Sequence, residues 1–268
     1  MFGTVPKVLW EKSNPPDAQN RIEMEARALL LESADRKILI DCGIGADFTE
    51  KYGEKLGPKF AEMYAVSGGS GVENTLKRYG LSTSDITDVI LTHLHFDHAG
   101  GSTKSIDGKL VPTFPNAKYY VQKANLETAR TPNIRERASY YSANFEPLLD
   151  AGVLTILEGP SEIAPGITVE LTDGHTRGQQ IVKITDGTST LVYCGDLIPT
   201  SSHVRLAWVM GYDLNPLLLI DEKRALLTQA ANAGWYLFFE HDPYSDIARV
   251  QEVKGDFNVT EKLSLAGE

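Results

Sequence analysis

Short apolar runs that end in a glycine or a polar residue recur along the whole chain. From 167 to 172, Ile, Val and Leu alternate with Thr and Glu, which is the pattern of a half-buried strand. The run at 235–239 is apolar throughout. These runs predict strands at 26–31, 37–41, 89–92, 117–121, 153–157, 167–172, 181–185, 190–193 and 235–239.

Apolar residues at helical spacing predict helices between several of these strands. The predicted helices cover 60–66, 72–79, 134–148 and 221–233. Glycines at 68–71 end the first of them, and the last has Asp221 as its N-cap and Gly234 after its end. The remaining segments are predicted as a loop at 101–116, a long apolar connection at 199–220, and a helix followed by two short strands after residue 241.

Two local features add to this pattern, a hairpin signal and a weak echo between the two halves of the chain. Asp-Gly-Thr-Ser at 186–189 separates two strands and predicts a hairpin. The segments 38–43 and 190–195 each read as a buried strand that ends in Cys-Gly. This echo is too short to establish a repeat, but it indicates a duplicated architecture.

Composition narrows the class of protein. The chain has 268 residues, of which 42% are hydrophobic and 23% charged, as in a globular protein of one large or two small domains. A net charge of −10 and a pI near 5.1 argue against nucleic acid or anionic membrane as a partner. No secretory signal or membrane span is evident, and two cysteines make no disulfide framework. We therefore expect a reducing, cytoplasmic location.

The densest chemical signal is the six-residue stretch His-Leu-His-Phe-Asp-His at 93–98. An apolar strand leads into it and Ala-Gly-Gly leads out, which predicts a strand that ends in a tight loop. His93 and His95 share one side of that strand, so both can bind one metal ion. Asp97 and His98, in the loop, can bind a second ion nearby. The cluster is too dense for solvated histidines and predicts a metal site.

Three further polar residues follow predicted strands: His175, Asp196 and His241. Sites in layered α/β proteins gather at strand ends, so these residues are expected to complete the site. One metal would take His93, His95 and His175, the other Asp97, His98 and His241, and Asp196 would bridge them. Taken singly, His175 and His241 would more often be structural and Asp196 a turn residue. A thiolate ligand from Cys194 is a remote alternative.

This ligand set predicts hydrolytic chemistry. Two divalent cations, two carboxylates and a bridging hydroxide leave the site with residual positive charge. Zinc on nitrogen and oxygen ligands can bring the pKa of water to about 7, so the hydroxide would be the nucleophile. Asp97 or Asp196 would carry the proton to the leaving oxygen. Zinc is the expected metal, with manganese, iron or cobalt as alternatives.

The motifs resemble those of the metallo-β-lactamase superfamily. They are the cluster at 93–98, Gly-His-Thr at 174–176, Gly-Asp at 195–196, and His241 after an apolar strand. The resemblance covers about residues 25 to 245. It implies an α/β fold, a four-layer αββα sandwich of two similar halves with the metals at the sheet edge. It also implies that the Asp-Cys-Gly turn at 41–43 supports the metals from beneath without binding them.

Within the superfamily, the residues favour one branch. Asp196 argues against a true antibiotic hydrolase, His95 against flavodiiron proteins, and the acidic chain against ribonuclease Z-like enzymes. Too few residues follow His241 for the C-terminal region of glyoxalase II. What remains resembles quorum-quenching lactonases and methyl parathion hydrolase-like enzymes, which the Val-Pro-Lys-Val-Leu-Trp opening at 5–10 also resembles.

The resemblance implies hydrolysis of a small lactone or ester, with acyl-homoserine lactones favoured and organophosphates or aryl esters as the alternative. Two departures bear on the substrate: Leu-Ile-Pro at 197–199 lacks the usual tyrosine, and Arg177 replaces a proline. The candidate substrate contacts are His203, Trp208, Met210 and Tyr212, although the apolar residues among them could equally be core or a homodimer contact. A non-catalytic module stabilised by its metals is the alternative of another class.

We expect a single domain over residues 1–268, in which residues 1–24 form an irregular arm. This arm would line the pocket or contact a second subunit. The sequence does not determine the acyl-chain length, the metal or the oligomeric state.

Overall fold

The computed structural model describes residues 1–66 and 71–265. The chain divides into two compact units, of which one is formed by Ala26–Glu158. The other is formed by Met1–Glu25 together with Gly159–Glu268. Two units of similar size match the expectation of two halves, and the single domain stays a prediction.

The described residues form the following elements. The helices are α1 (Lys7–Trp10), α2 (Phe48–Tyr64), α3 (Gly71–Arg78), α4 (Phe96–Ala99), α5 (Lys123–Arg130), α6 (Glu146–Asp150) and α7 (Pro216–Ala233). The strands are β1 (Leu29–Glu32), β2 (Lys37–Ile40), β3 (Asp88–Ile90), β4 (Thr103–Ile106), β5 (Lys109–Pro112), β6 (Lys118–Gln122), β7 (Leu154–Leu157), β8 (Ser161–Ala164), β9 (Ile167–Thr172), β10 (Gln179–Thr185), β11 (Thr190–Tyr193), β12 (Tyr236–Phe238), β13 (Ile247–Val253) and β14 (Asp256–Leu263).

The unit at 26–158 is built on a five-stranded sheet in the order β1-β2-β3-β6-β7. β1 and β2 are antiparallel, and every other neighbouring pair is parallel. Leu39, Val89 and Tyr119 from the central strands are at most 1% exposed and form the core of this unit. Burial of such apolar side chains supplies most of the free energy that stabilises a fold.

The other unit is built on a seven-stranded sheet in the order β14-β13-β12-β11-β10-β9-β8. Neighbouring strands are antiparallel except β11 and β12, which are parallel. Val192, Leu237 and Ala248 pack with Leu227 of α7 in its core. Because β9 and β11 both run antiparallel to β10, the strands β9, β11 and β12 all point the same way. The residues that follow them, His175, Asp196 and His241, therefore leave the sheet at one edge.

The strand predictions are confirmed to within a few residues, and so is the hairpin, in which Thr185 pairs with Thr190. The short helix predicted from residue 72 is confirmed as α3. The helix predicted at 60–66 is the end of the longer α2, which is kinked at Gly53. The glycines that were expected to end it at 68–71 lie largely outside the described residues.

Four predictions of local structure are wrong. The helix expected at 134–148 is replaced by turns and the short α6, because Asn133 Oδ1 accepts the Arg135 amide at 2.9 Å and Ile134 is 81% exposed. α7 begins at Pro216 with Asn215 as its N-cap, ahead of the expected Asp221. The segment after His241 forms β13 and β14 without a helix, and 101–116 contains the β4–β5 hairpin.

Among the described residues, no helix combines the length and apolarity needed to cross a bilayer. The predictions of a cytoplasmic location and of a homodimer stay predictions.

Two hairpin glycines allow a matched test of backbone strain. Gly166 and Gly108 both have a φ of +76°, but a Cβ on Gly166 would lie 2.3 Å from the Thr185 carbonyl oxygen, whereas one on Gly108 would meet nothing within 4 Å. Gly108→Ala should cost about 1–2 kcal/mol for the left-handed backbone alone. Gly166→Ala should cost about 1–3 kcal/mol more, from the added clash. Denaturant unfolding of both variants measures the difference, and equal losses would contradict the clash.

Candidate metal centre

The four polar side chains of the 93–98 stretch lie directly after β3. His93 Nε2 and His95 Nδ1 face each other at 2.9 Å, and both rings are buried. Asp97 and His98 follow on α4, where His98 is fully buried and Asp97 keeps 27% of its side chain exposed. Two imidazole nitrogens converging among buried apolar neighbours such as Leu94 suit a cation, which would satisfy both lone pairs.

The buried carboxylate of Asp41, at the end of the neighbouring strand, contacts this stretch through hydrogen bonds. Asp41, directly after β2, has one oxygen 3.0 Å from His98 Nδ1. It also accepts hydrogen bonds from the Thr92 amide and hydroxyl, both at 2.7 Å. The Thr92 hydroxyl lies 3.1 Å from His93 Nδ1. Asp41 is thus placed to orient the cluster through hydrogen bonds, and its role beneath the metals without binding them stays a prediction.

His95 has a different neighbour at its outer nitrogen. Its Nε2 lies 4.0 Å from a carboxylate oxygen of Glu136, and both side chains are buried. Asn133 donates a hydrogen bond of 2.6 Å to the other Glu136 oxygen. The sequence did not point to Glu136, because a helix was predicted across this region. In the structure, turns replace that helix and place Glu136 beside His95.

The other unit places two predicted histidine ligands around a third predicted ligand, the Asp196 carboxylate. His175 Nε2 lies 3.1 Å from Asp196 Oδ2, and His241 Nε2 lies 3.1 Å from Asp196 Oδ1. All three side chains are at most 7% exposed. Because each oxygen of Asp196 faces a different histidine, the carboxylate has the orientation that a bridging ligand needs.

The outer nitrogens of these two histidines are held by oxygen acceptors. His175 Nδ1 lies 2.9 Å from Asp213 Oδ1, and His241 Nδ1 lies 2.6 Å from the Glu25 carbonyl oxygen. Asp213 is buried, and its second oxygen accepts the Met210 amide at 2.6 Å. A proton on Nδ1 leaves the Nε2 lone pair directed at Asp196, which is the tautomer that a metal ligand needs.

Sequence reasoning missed Asp213, although a signal existed. It is the only acidic residue between Asp196 and Asp221, in an otherwise apolar connection. An acidic residue in such a segment is expected to have a buried partner, since an isolated buried carboxylate is costly.

The donor atoms within each unit fit divalent cations. Ligand atoms lie within 4.8 Å of each other in the pairs His93/His95, Asp97/His98 and His175/Asp196. Neutral imidazoles and carboxylates are the ligands that zinc and similar ions accept. Burial raises the pKa of the Cys194 thiol, whose sulfur lies 3.5 Å from the Val192 carbonyl. Cys194 is therefore a buried structural thiol, which disfavours the thiolate alternative.

The four candidate substrate contacts have different surroundings. Met210 and His203 are buried, whereas Tyr212 is 60% exposed and Trp208 is half-buried. The His203 ring stacks on Phe2 with centroids 5.0 Å apart. Burial lowers the pKa of His203 to about 3, so the ring is neutral. Of the four, Tyr212 presents the most surface to a ligand.

Comparison with known proteins gives one family. The model of the metallo-beta-lactamase superfamily matches residues 24–241. An N-acyl homoserine lactonase of Bacillus thuringiensis is 31% identical over 223 residues, which cover 80% of this chain and 79% of that protein. The chain spans about three fifths of the length of two further matched lactonases, from Bacillus cereus and a Bacillus species (63% and 59%).

Solved structures show the same fold. A probable metal-dependent hydrolase from Staphylococcus aureus has a TM-score of 0.85 and 30% identity, and the match covers 98% of this chain and 92% of that one. An N-acyl homoserine lactone hydrolase with the product N-hexanoyl-L-homoserine bound at its catalytic metal centre has a TM-score of 0.63 and 25% identity. That match covers 87% of this chain and 88% of the other. The predicted fold class is confirmed.

The Asp213–His175 contact predicts a loss of metal affinity on Asp213→Asn. The amide removes the charge that holds the His175 ring, so zinc affinity should fall about 10–100-fold. Asp256→Asn is the matched control, because Asp256 accepts the Leu206 amide at 2.8 Å in the same unit and contacts none of the predicted ligands. Competition with a chromophoric chelator measures both affinities. Equal affinities in the two variants would show that Asp213 does not orient His175.

Proposed function

The chain belongs to the metallo-β-lactamase superfamily of metal-dependent hydrolases, and we propose that it is a two-metal lactonase. Its favoured substrates are N-acyl homoserine lactones. The observation that carries this proposal is Asp196, whose two oxygens each face a different buried histidine at 3.1 Å. Identity of 31% to an N-acyl homoserine lactonase over four fifths of the chain supports the substrate class.

We assign seven ligands to the two ions. His93, His95 and His175 would hold one ion. Asp97, His98 and His241 would hold the other, and Asp196 would be a ligand of both. Zinc is the proposed metal, because its borderline character accepts this mixture of nitrogen and oxygen donors. The contacts of Thr92, Asp41, Asp213 and the Glu25 carbonyl support the assignment, since they fix four of the five rings.

Bound there, the ions would polarise a carbonyl and activate water at neutral pH. The protein supplies orientation and proton transfer. Both oxygens of Asp196 lie against histidines, whereas Asp97 keeps 27% of its side chain exposed. Asp97 is therefore the better placed of the two carboxylates to pass a proton to the leaving oxygen of an opened lactone.

The substrate end of the site differs from the motif expected of acyl-homoserine lactonases. Leu-Ile-Pro at 197–199 offers no hydroxyl to the substrate, and Leu197 and Ile198 are buried in the core. Tyr212 is 60% exposed. It is adjacent in sequence to Asp213, which contacts His175. We propose that Tyr212 supplies the aromatic contact in place of the missing tyrosine. In contrast, we assign a structural role in this loop to the buried His203 and Met210 and the half-buried Trp208.

The nitrogen ligands predict that His98→Ala loses metal and activity together. Removal of one of three ligands should leave less than two zinc ions per chain and reduce lactone hydrolysis by about 100-fold or more. His203→Gln is the matched control, because this buried histidine lies outside the ligand set and should retain both ions. Elemental analysis and hydrolysis of N-hexanoyl homoserine lactone test both variants. A His98→Ala protein with two ions and full turnover would overturn the proposal.

The exposure of Tyr212 predicts an effect on substrate binding alone. Tyr212→Ala should raise KM for long-chain N-acyl homoserine lactones about tenfold, since an apolar contact of this size contributes about 1.4 kcal/mol. Metal content should not change. Tyr79→Ala, at an exposed tyrosine of the other unit, is the control. Steady-state kinetics across an acyl-chain series measure the effect, and identical KM values in both variants would exclude Tyr212 from the substrate site.

A further inference from the structure

A cavity of about 630 Å³ lies in the unit that contains α1, the 201–208 segment and β14. None of the residues that line it is a proposed metal ligand. Its polar and charged lining includes Lys12, Ser201, Ser202, Arg205 and Lys262, and Trp208 forms part of its apolar wall. The cavity is thus a second concave site, distinct from the residues proposed to carry out hydrolysis.

All charged side chains among the described residues that line this cavity are cationic. This is unusual, because the chain as a whole has 36 acidic and 26 basic residues. Within residues 1–66 and 71–265, neither Lys12 nor Arg205 nor Lys262 forms a salt bridge with a carboxylate, by the criterion of 4.0 Å between nitrogen and oxygen. Three cations grouped without an acidic partner create a local positive potential, which an anion would neutralise.

The cations are held in place by neutral neighbours. The Arg205 guanidinium lies over the Trp208 ring, 5.1 Å from its centroid. Lys262 Nζ donates to Ser201 Oγ at 3.3 Å. Such contacts orient the charges while leaving them uncompensated, so they are available to a ligand.

The hydroxyl groups beside the cations are also fixed. Asn14, which is 5% exposed, donates hydrogen bonds to Ser202 Oγ at 2.8 Å and to Ser13 Oγ at 2.9 Å. The Ser201 amide donates to Asp242 at 2.7 Å. Ser202 Oγ in turn donates to Ser13 Oγ, and Ser13 Oγ to the Trp10 carbonyl, both at 3.3 Å. The Ser201 hydroxyl, which accepts from Lys262, is therefore the one of the three placed to donate to an oxygen of an anion.

The rest of the lining includes apolar residues. It contains Leu9, which is 49% exposed, together with Val204, Trp208 and Phe257. A cavity lined by cationic and apolar side chains matches a ligand with an anionic head and a hydrocarbon tail. We propose that this cavity binds a small anionic amphiphile, such as an acyl chain that ends in a carboxylate, phosphate or sulfonate.

Titration with 1-octanesulfonate tests the proposal on the metal-loaded protein. A sulfonate is a weak metal ligand, so binding at the metal centre contributes little. Quenching or enhancement of tryptophan fluorescence should saturate, and Trp208→Phe should remove most of the signal. Arg205→Gln should weaken the affinity about tenfold, since it removes one of three charges. Lys262→Gln changes an exposed side chain and should also weaken the affinity for 1-octanesulfonate.

The chain offers a matched control in Lys183, which lies 4.1 Å over the Trp235 ring outside this cavity. Lys183→Gln removes a comparable cation–aromatic contact and should bind the probe like the wild type. Binding should weaken with salt, because the attraction is electrostatic. The proposal is overturned if the wild type shows no saturable binding, if 1-octanol binds equally well, or if Arg205→Gln and Lys262→Gln both keep wild-type affinity.

Discussion

The proposed site depends on hydrogen bonds at the side of each histidine that faces away from it. Four outer nitrogens lie against oxygen atoms: a hydroxyl for His93, carboxylates for His98 and His175, and a backbone carbonyl for His241. Each contact fixes a ring rotation and favours one tautomer, so that the inner nitrogen keeps its lone pair. Without them, the buried imidazoles could rotate, and within each unit the inner nitrogens would lose the directions that a metal ligand needs.

The sheets bring these contacts about through strand direction. In the seven-stranded sheet, the shared direction of β9, β11 and β12 brings His175, Asp196 and His241 out at one edge. In the five-stranded sheet, the parallel pairing of β2 and β3 brings Asp41 beside the start of the 93–98 stretch. Buried apolar strands therefore fix the backbone of both ligand sets, and the loops need only a few hydrogen bonds to finish the geometry.

The sequence was sufficient for the strands and the fold class, whereas the ligand set and the role of Asp41 stay predictions. The strands follow from local signals, namely continuous apolar runs that end in a glycine or a polar residue. Asp213 has a signal in the sequence, but its partner His175 could not be predicted, and neither could the approach of Glu136 to His95. These contacts join segments far apart in the chain and depend on side-chain packing. The helix expected at 134–148 failed for a related reason. Apolar spacing alone cannot exclude a turn that Asn133 stabilises through its side chain.

The parallel pairing of β11 with β12 also bears on how this protein could change over evolution. Because Tyr193 pairs with Phe238, the positions of Asp196 and His241 are set by the sheet. The exposed part of the crossover between them, which contains Tyr212, can exchange residues with little effect on that spacing. Two acidic residues of the crossover limit this freedom. Asp213 must remain within reach of His175, and Glu222 of α7 accepts the Asp173 and Gly174 amides at 2.8 and 3.0 Å. New substrate ranges can therefore arise by changes at the exposed positions, provided that both acidic anchors are kept.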